Sequence, residues 1–305
     1  MNVNIRSFKV EKGKRRKEVL RLEVFKLRDG SPLSIPCVYL SGDEDGSTVC
    51  IVAGHHGNEW MGVYIAHLIA SQLEVEDVRG ALVVIIAANP LAFSEGSRVS
   101  ALDYIDLSRV YDSPFRRKPT EHLGQLLSEV VFSKVDLVID LHSGGPGEYL
   151  PHLIIDDLKL LNEARYMGIR HVLVARSAKS SSFGAKVLTI EAGGCKKIDE
   201  DMGREIARGI RSYLVKIGVL RGELIEAEEI RVLKRKRLVP APAPGLFSPL
   251  VKLGQEVSMG SKLGKLTKLM TRDELKIESP TRGAVLYLRG EPMVSEGETL
   301  VQIAL

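Results

Sequence analysis

The chain has 305 residues, 44% hydrophobic and 27% charged, which excludes a disordered protein, and its net charge of +4 is too small to indicate a nucleic-acid partner. Its three scattered cysteines exclude a disulfide framework and a cysteine-based metal site. The sequence has no signal-peptide pattern and no apolar run near the roughly 20 residues of a membrane helix, so we expect a cytoplasmic protein with no membrane partner.

The first 40 residues predict an amphipathic lead-in, and its basic run Lys9–Lys17 is interpreted as a solvated hairpin or strand edge. From about residue 47, short apolar runs alternate with segments of helical period. Unalternated apolar runs are typical of strands buried on both faces of a largely parallel sheet, so we predict an α/β fold with helices on both faces. The predicted strands are Thr48–Ala53, Ala81–Ala88, Val135–Leu141, His152–Ile155, His171–Val174 and Lys186–Ile190. The predicted helices are Asn58–Leu73, Thr120–Phe132, Asp156–Met167 and Asp199–Ile217.

The pattern changes again near residue 220. The segment Leu233–Pro244 combines a basic run with three prolines, and proline holds the chain extended and stops helices. We therefore predict a connector between domains here. Because a chain of this length corresponds to about two domains, we assign residues 1–230 to the α/β domain and residues 231–305 to a small β domain.

An internal repeat occupies about the last 60 residues. In each copy, glycines separate short apolar runs, which indicates turns in an all-β unit. The repeat predicts a small pseudo-twofold β-sandwich. The matching positions are Gly254, Val257, Gly260 and Leu263 in the first copy and Gly290, Val294, Gly297 and Leu300 in the second.

The first predicted strand leads into the segment IVAGHHGNEWMG, which carries His56 and Glu59. At the corner between a strand and a helix, this pair can turn an imidazole and a carboxylate toward one point. Zinc favours nitrogen and oxygen ligands, and a catalytic zinc keeps one position open for water. His55 is an alternative ligand, and since adjacent side chains point apart we expect one of the two histidines to bind.

The strand VDLVIDLHSGG delivers His142 at its carboxyl end, where open α/β sheets place their active sites. Together with His56 and Glu59, it predicts a site with two histidines and one carboxylate for one zinc ion per chain. Asp140, two residues earlier, either orients a ligand or caps the strand.

Three further residues have side chains that a hydrolytic zinc site can use. Glu191 ends the strand KVLTIEAGG, where its carboxylate can serve as a base beside the metal without ligating it. Arg98, in NPLAFSEGSR, and Arg109, in DLSR, are candidates to hold a developing oxyanion and to clamp a carboxylate.

These motifs occur in the order GxHGNE, NPxAxxxGxR, DLxR, DLHSG and a strand ending in Glu. In that order they resemble the zinc carboxypeptidase superfamily and, within it, the succinylglutamate desuccinylase and aspartoacylase family. The resemblance spans roughly residues 45–220, and the C-terminal β unit is also similar to that of the family. It implies a zinc-carboxypeptidase-like mixed, largely parallel sheet.

The resemblance also implies a role for each matching residue. His56, Glu59 and His142 correspond to the zinc ligands and Glu191 to the general base. Arg98 corresponds to the arginine that faces the scissile carbonyl.

The same resemblance assigns Arg109 to the substrate carboxylate, beside a position where the sequence departs from the family. Ser108 stands there in place of the usual Asn, and the shorter side chain offers one hydroxyl. Losing one hydrogen bond to a charged group costs about 1.5–3 kcal/mol, so Ser108 bears on which substrate binds rather than on the zinc chemistry. The acyl group and the amine product therefore stay open.

The resemblance implies a zinc-dependent hydrolase that cleaves an amide bond of an N-acylamino acid or a similar small carboxylate-bearing molecule. One alternative is a metallocarboxypeptidase that acts on short peptides, and another is a pseudoenzyme that binds zinc or a ligand without turnover. We expect the loops Ser143–Leu150 and Arg176–Ala185, with Arg176 and Lys179, to set specificity. A homo-oligomer is compatible with the sequence.

A carrier module is the remaining alternative, since the C-terminal unit also resembles the barrel-sandwich fold of lipoyl and biotinyl carriers. Such carriers present a lysine at the tip of the hairpin between the two halves. Here the tip falls near Arg272, and arginine is not acylated by that chemistry. We expect an unmodified domain that shapes or covers the mouth of the active site.

Overall fold

The computed structural model describes residues 1–115, 117–175, 182–226 and 229–305. The strands are β1 (Asn2–Asn4), β2 (Arg16–Lys26), β3 (Pro32–Ser41), β4 (Thr48–Ala53), β5 (Ala81–Ile85), β6 (Leu137–His142), β7 (Gly147–Ile155), β8 (His171–Val174), β9 (Lys186–Gly194), β10 (Arg231–Leu233), β11 (Lys236–Pro240), β12 (Gly245–Pro249), β13 (Glu256–Val257), β14 (Lys262–Lys268), β15 (Glu274–Glu278), β16 (Gly283–Arg289), β17 (Met293–Val294) and β18 (Thr299–Ala304).

The α-helices are α1 (Trp60–Gln72), α2 (Pro90–Glu95), α3 (Pro119–Val130), α4 (Leu161–Ala164) and α5 (Glu200–Lys216). Short 3₁₀ turns cover Ile5–Ser7, Val75–Asp77, Leu107–Arg109, Phe132–Lys134, Leu158–Leu160 and Arg165–Met167. None of the helices in the described ranges is long and apolar enough to cross a membrane.

A large mixed sheet forms the body of the molecule, with the strand order β1-β2-β3-β5-β4-β6-β9-β7-β16-β18-β11 along its main path. Its centre is parallel, since β4 pairs in parallel with β5 and β6, and β6 with β9. Every residue of β4, β5 and β6 is buried, because these β-branched and apolar runs are covered on both faces. The predicted α/β fold with a largely parallel sheet is confirmed.

Helices cover both faces of this sheet. On one face, Ile65 of α1 and Ile210 of α5 pack with Leu141 and Ile190 of the strands. On the other face, Leu126 of α3 packs in a separate apolar cluster with residues of β2, β3 and β5. These two apolar layers hold the strand ends in place, and the carboxyl ends of β4, β6 and β9 lie at one edge of the sheet.

One predicted helix was wrong, and the predicted connector contains a strand. The segment Asp156–Met167 is not one helix but two 3₁₀ turns around the four-residue α4, and Asp157 caps the first turn by accepting from the backbone N–H of Lys159. The predicted connector Leu233–Pro244 contains strand β11, which pairs antiparallel with β18. Proline is compatible with this position because β11 ends the path of the sheet and Pro240 lies at a register shift.

The C-terminal repeat folds as two interlocked copies. Strand β13 of the first copy pairs with β16 of the second, and β17 of the second pairs with β12 of the first. This exchange is what a pseudo-twofold β-sandwich requires, so the prediction from the repeat is confirmed. A second, four-stranded sheet has the order β15-β14-β12-β17. The turn between β14 and β15 contains Arg272, as the sequence predicted for the hairpin tip.

The C-terminal copies are joined to the large sheet through β16, which pairs antiparallel with β7. Tyr287 of β16 is the backbone partner of Tyr149 of β7. Backbone hydrogen bonds of the large sheet therefore join residues before 230 to residues after 230. The division into domains 1–230 and 231–305 stays a prediction.

Candidate metal centre

The turn from β4 into α1 brings His56 and Glu59 together. Gly54 has a φ of +69°, which favours glycine, and it starts the turn directly after the strand. A Cβ on Gly57 would lie 1.9 Å from the carbonyl carbon of Ala92, so only glycine allows the turn to pack against α2. The turn is held in one conformation, with His56 and Glu59 on its inner side.

The carboxylate of Glu59 lies between two imidazoles. Its Oε1 is 2.7 Å from Nδ1 of His56, and its Oε2 is 2.8 Å from Nδ1 of His142 at the end of β6. All three side chains are buried, and their donor atoms lie within 4.8 Å of one another. Two imidazole nitrogens and one carboxylate are a ligand set that suits zinc, so these residues fit the predicted metal.

The far nitrogen of each imidazole contacts a second carboxylate. Nε2 of His56 is 2.9 Å from Oδ1 of Asp106, and Nε2 of His142 is 3.1 Å from Oδ2 of Asp140. Such a partner fixes the imidazole ring and leaves its Nδ1 lone pair for a metal. Asp140 therefore contacts a predicted ligand, which answers the question that the sequence left open, while the role of Asp106 was missed although DLSR was recognised.

The two carboxyl groups nearest the imidazoles stay ionised. Burial works against the charged form of Glu59, but the charges and hydrogen bonds of His142 and His56 outweigh it and hold the pKa of this carboxyl well below its usual value. At Asp106 burial is likewise outweighed, by His56, Ser108 and Arg98, and the pKa is lowered. The centre is thus a buried anionic site suited to a cation.

His55 contacts Asp140 rather than Glu59. Its Nδ1 is 3.2 Å from Oδ1 of Asp140, and its ring stacks on that of His142 with centroids 5.3 Å apart. His55, Asp140 and His142 form a second group with ligand-like spacing. The side chains of His55 and Asp140 are 0% exposed, so a metal there would have no route to a substrate. The group of His56, Glu59 and His142 is therefore the candidate catalytic centre.

Glu191 lies beside the centre through the register of the sheet. It is the backbone partner of His142 in the parallel pair β6–β9, and its side chain is half-buried. It is not a member of either potential metal-binding group among the described residues. Its position at the same strand ends as His142 is as expected, and its role as a base that does not ligate stays a prediction.

Arg98 borders the centre, whereas Arg109 lies farther out. Nη2 of Arg98 is 2.9 Å from Oδ2 of Asp106, and its Nη1 is 3.5 Å from Oε1 of Glu59. The Arg109 side chain is 79% exposed, with Nε 3.5 Å from Oδ2 of Asp106. The Ser108 hydroxyl donates to Oδ1 of Asp106 at 2.7 Å, so this serine is bonded to the carboxylate that orients His56.

The sequence assigned two loops to specificity. In the first, residues 143–146 form the connection and residues 147–150 already belong to β7, so the loop is shorter than predicted. The backbone N–H of Ser143 donates to Oε2 of Glu59 at 3.2 Å, and a role of this segment in specificity stays a prediction. In the other loop, Arg176 and Lys179 lie outside the described residues. Their predicted contact with a polar substrate stays a prediction.

Comparison with known proteins identifies one matching family model. The model of the succinylglutamate desuccinylase/aspartoacylase catalytic domain matches residues 45–217. A curated relative, the N-alpha-acetyl-L-2,4-diaminobutyric acid deacetylase of Halomonas elongata, is 25% identical over 282 residues, which cover 85% of this chain and 82% of the relative.

Solved structures with the same fold cover almost the whole chain. A succinylglutamate desuccinylase/aspartoacylase from Rhodobacter sphaeroides superposes with a TM-score of 0.86 at 23% identity and covers 95% of both chains. The product-bound ectoine utilization protein EutE (DoeB) from Ruegeria pomeroyi gives 0.87 at 21% identity, over 98% of this chain and 97% of that one. At these identities the structures show the shared fold, including the C-terminal β region.

Proposed function

Because the chain belongs to the succinylglutamate desuccinylase/aspartoacylase family, we propose that it is a zinc-dependent hydrolase that cleaves the amide bond of an N-acylamino acid or a similar small carboxylate-bearing substrate. The observation that carries the proposal is the buried group of His56, Glu59 and His142, with Glu191 on the adjoining strand. The name of the Halomonas elongata relative gives an N-acetylated diamino acid as its substrate, which supports this substrate class.

His56 and His142, through Nδ1, and Glu59, through its carboxylate, would hold one zinc ion per chain. When bound, zinc supplies a Lewis acid that acidifies water and polarises a carbonyl group. Asp106 and Asp140 keep both imidazoles in the tautomer that presents Nδ1. The protein therefore contributes an ordered, anionic and buried ligand set.

Glu191 and Arg98 carry the steps assigned to the protein itself. Glu191 accepts a proton from the attacking water and returns it to the nitrogen of the leaving amine, as one carboxylate can do in succession. Arg98, half-exposed beside Glu59, donates to the carbonyl oxygen as negative charge develops on it. Arg98 contacts Glu59, and Glu191 is the backbone partner of His142, so a substrate bound between them would meet base and donor together.

Arg109 is proposed to bind the substrate carboxylate. Its guanidinium is largely exposed and only loosely associated with Asp106, so it can reorient to form paired hydrogen bonds with an anion. The Ser108 hydroxyl is bonded to Asp106, so a contribution from Ser108 to the carboxylate would require this bond to be exchanged.

The experiment that tests this function is hydrolysis of a panel of N-acylamino acids and short peptides by protein whose zinc content has been measured. We expect release of amines from N-acylamino acids. Release from peptides alone would instead favour the metallocarboxypeptidase, and no release from either class by zinc-loaded protein would favour a pseudoenzyme. Intact mass equal to the sequence mass would argue against a covalent carrier.

A further inference from the structure

A row of polar side chains runs from the last strand of the chain toward Glu191. Gln302 of β18 is the backbone partner of Tyr287 of β16, and Tyr287 is the partner of Tyr149 of β7. Nε2 of Gln302 donates to the Tyr149 hydroxyl at 3.0 Å. The rings of Tyr149 and Tyr287 pack with centroids 5.0 Å apart. The C-terminal repeat thus contacts Tyr149 by both packing and a hydrogen bond.

A β-bulge places Tyr149 on the same side of the sheet as Glu191. Along the pair β7–β9, Tyr149 is the partner of Gly193 and His152 is the partner of Glu191, with a register shift between them. Tyr149 and His152 are three residues apart on β7, while their partners Gly193 and Glu191 are two residues apart on β9. Because side chains alternate along a regular strand, the extra residue of the bulge brings Tyr149 and His152 to one face. Their rings lie 5.3 Å apart, and directly paired residues such as His152 and Glu191 share a face.

The electrostatics of Tyr149 agree with this placement. Burial raises the pKa of Tyr149 above its usual value, and the charge of the Glu191 carboxylate raises it further. Both effects keep the hydroxyl protonated near neutral pH. The hydroxyl is therefore protonated and able to donate, on the face of the sheet that also carries Glu191.

We propose that Tyr149 is a positioning residue for Glu191, and that Gln302 of the C-terminal repeat orients its hydroxyl. The side-chain amide of Gln302 donates a hydrogen bond to the Tyr149 hydroxyl, and this bond occupies one lone pair of the phenolic oxygen. The hydroxyl proton is then donated on the side away from Gln302, where the Glu191 carboxylate accepts it. This inference rests on the proposed function, in which Glu191 is the base, and it gives the C-terminal repeat a part in the catalytic site.

Steady-state kinetics of two variants test the proposal. Tyr149→Phe keeps the ring that packs on Tyr287 and removes the hydroxyl, and Gln302→Met keeps the shape and removes the donor. We expect Tyr149→Phe to lower kcat about 10-fold or more, the fold-change for losing one hydrogen bond to a charged group, with little change in KM, zinc content or Tm.

Gln302→Met should lower kcat less, and the double variant should be no slower than Tyr149→Phe, because both changes act through one hydroxyl. Tyr39→Phe is the matched control. It also removes a buried tyrosine hydroxyl, bonded to the backbone of Glu11, but it lies on β3 and should leave kcat unchanged. A kcat for Tyr149→Phe equal to that of Tyr39→Phe would overturn the proposal.

A second measurement does not depend on turnover. In protein labelled with ¹³C at Cζ of tyrosine, the resonance lost in Tyr149→Phe identifies Tyr149. We expect Glu191→Gln and Gln302→Met each to shift this resonance, and Glu200→Gln on the surface of α5 to leave it in place. A Tyr149 resonance insensitive to both changes overturns the proposal even if the wild type is an active hydrolase. If the wild type does not hydrolyse the panel but both variants shift the Tyr149 resonance, the proposed function is contradicted and the contact between Tyr149 and Glu191 is not.

Discussion

At the scale of single residues, one backbone pairing connects the metal-binding group with the proposed base. His142 and Glu191 are partners in β6–β9, so the ligand and the base leave neighbouring strands at the same level of the sheet. Their separation is fixed by the sheet rather than by loops, which gives a base the fixed distance from its substrate that proton transfer requires.

The first prediction concerns Glu191. Glu191→Gln keeps the size of the side chain and removes the proton acceptor, so kcat should fall by about 10²–10⁴, the usual contribution of a general base. Zinc content should stay at the wild-type level, because Glu191 is outside the group of His56, Glu59 and His142. The measurement is kcat with metal analysis of the same samples, and near-normal turnover in zinc-loaded Glu191→Gln would rule out this role.

A second prediction concerns the pH dependence of stability. His152 is buried and donates from Nδ1 to the carbonyl of Leu150, and burial lowers its pKa to about 4. In the unfolded chain the imidazole has a pKa of about 6.5, so between these values the unfolded state binds more protons than the folded state. The free energy of unfolding should therefore fall as pH falls through this window, by about 3 kcal/mol at 1.36 kcal/mol per pKa unit.

His152→Gln keeps a donor for the Leu150 carbonyl and removes the titrating group. Urea unfolding of both proteins from pH 7 to pH 4 measures the effect. The wild type should lose more stability over this range than the variant, and parallel curves would show that His152 does not contribute.

The residues of the centre differed in how far the sequence predicted them. His56, Glu59 and His142 lie in short motifs next to strand ends, so the sequence predicted that they lie close together, while the choice of His56 over His55 came from the family resemblance. The role of Asp106 could not be predicted from its motif, since its contact with His56 joins residues 50 positions apart and depends on how the DLSR turn packs. The bond between Ser108 and Asp106 depends on the same turn.

At the scale of elements, the buried strands were predicted well because burial on both faces leaves a continuous apolar run. Thr48–Ala53 and His171–Val174 have the bounds that the sequence indicated. Strand β11 was missed because an edge strand needs only part of its backbone hydrogen bonds, so proline and charge do not exclude it. Its pairing with β18 joins segments about 60 residues apart, and a local sequence pattern does not predict such a pairing.

The pairing of β16 with β7 predicts the outcome of truncation at the assigned boundary. A chain that ends at residue 230 loses β16, one of the partners of β7, and β10, which pairs with the apolar strand β8. It also loses the side chains of Leu286 and Ala304, which pack against Leu173. We expect it to aggregate or to unfold without a cooperative transition, since an exposed apolar edge strand templates association. Circular dichroism and gel filtration measure this, and a monomeric, cooperatively folded and active fragment would instead support an independent domain 1–230.

At the scale of the whole molecule, the net charge of +4 gives little indication of the chemistry. The local distribution is more informative, because Glu59, Asp106 and Asp140 concentrate negative charge around two imidazoles, and Arg98 and Arg109 border them. Such a site attracts a divalent cation at its centre and an anionic substrate at its rim. Both features agree with the proposed function, metal-assisted hydrolysis of a small anionic amide.

The most direct test of this function combines metal removal with turnover on the best N-acylamino acid of the panel. Protein freed of metal by a chelator should lose hydrolysis and regain it when one equivalent of zinc per chain is added, because His56, Glu59 and His142 form a single site. Full hydrolysis by protein shown to contain no metal would contradict the proposed metal-assisted mechanism.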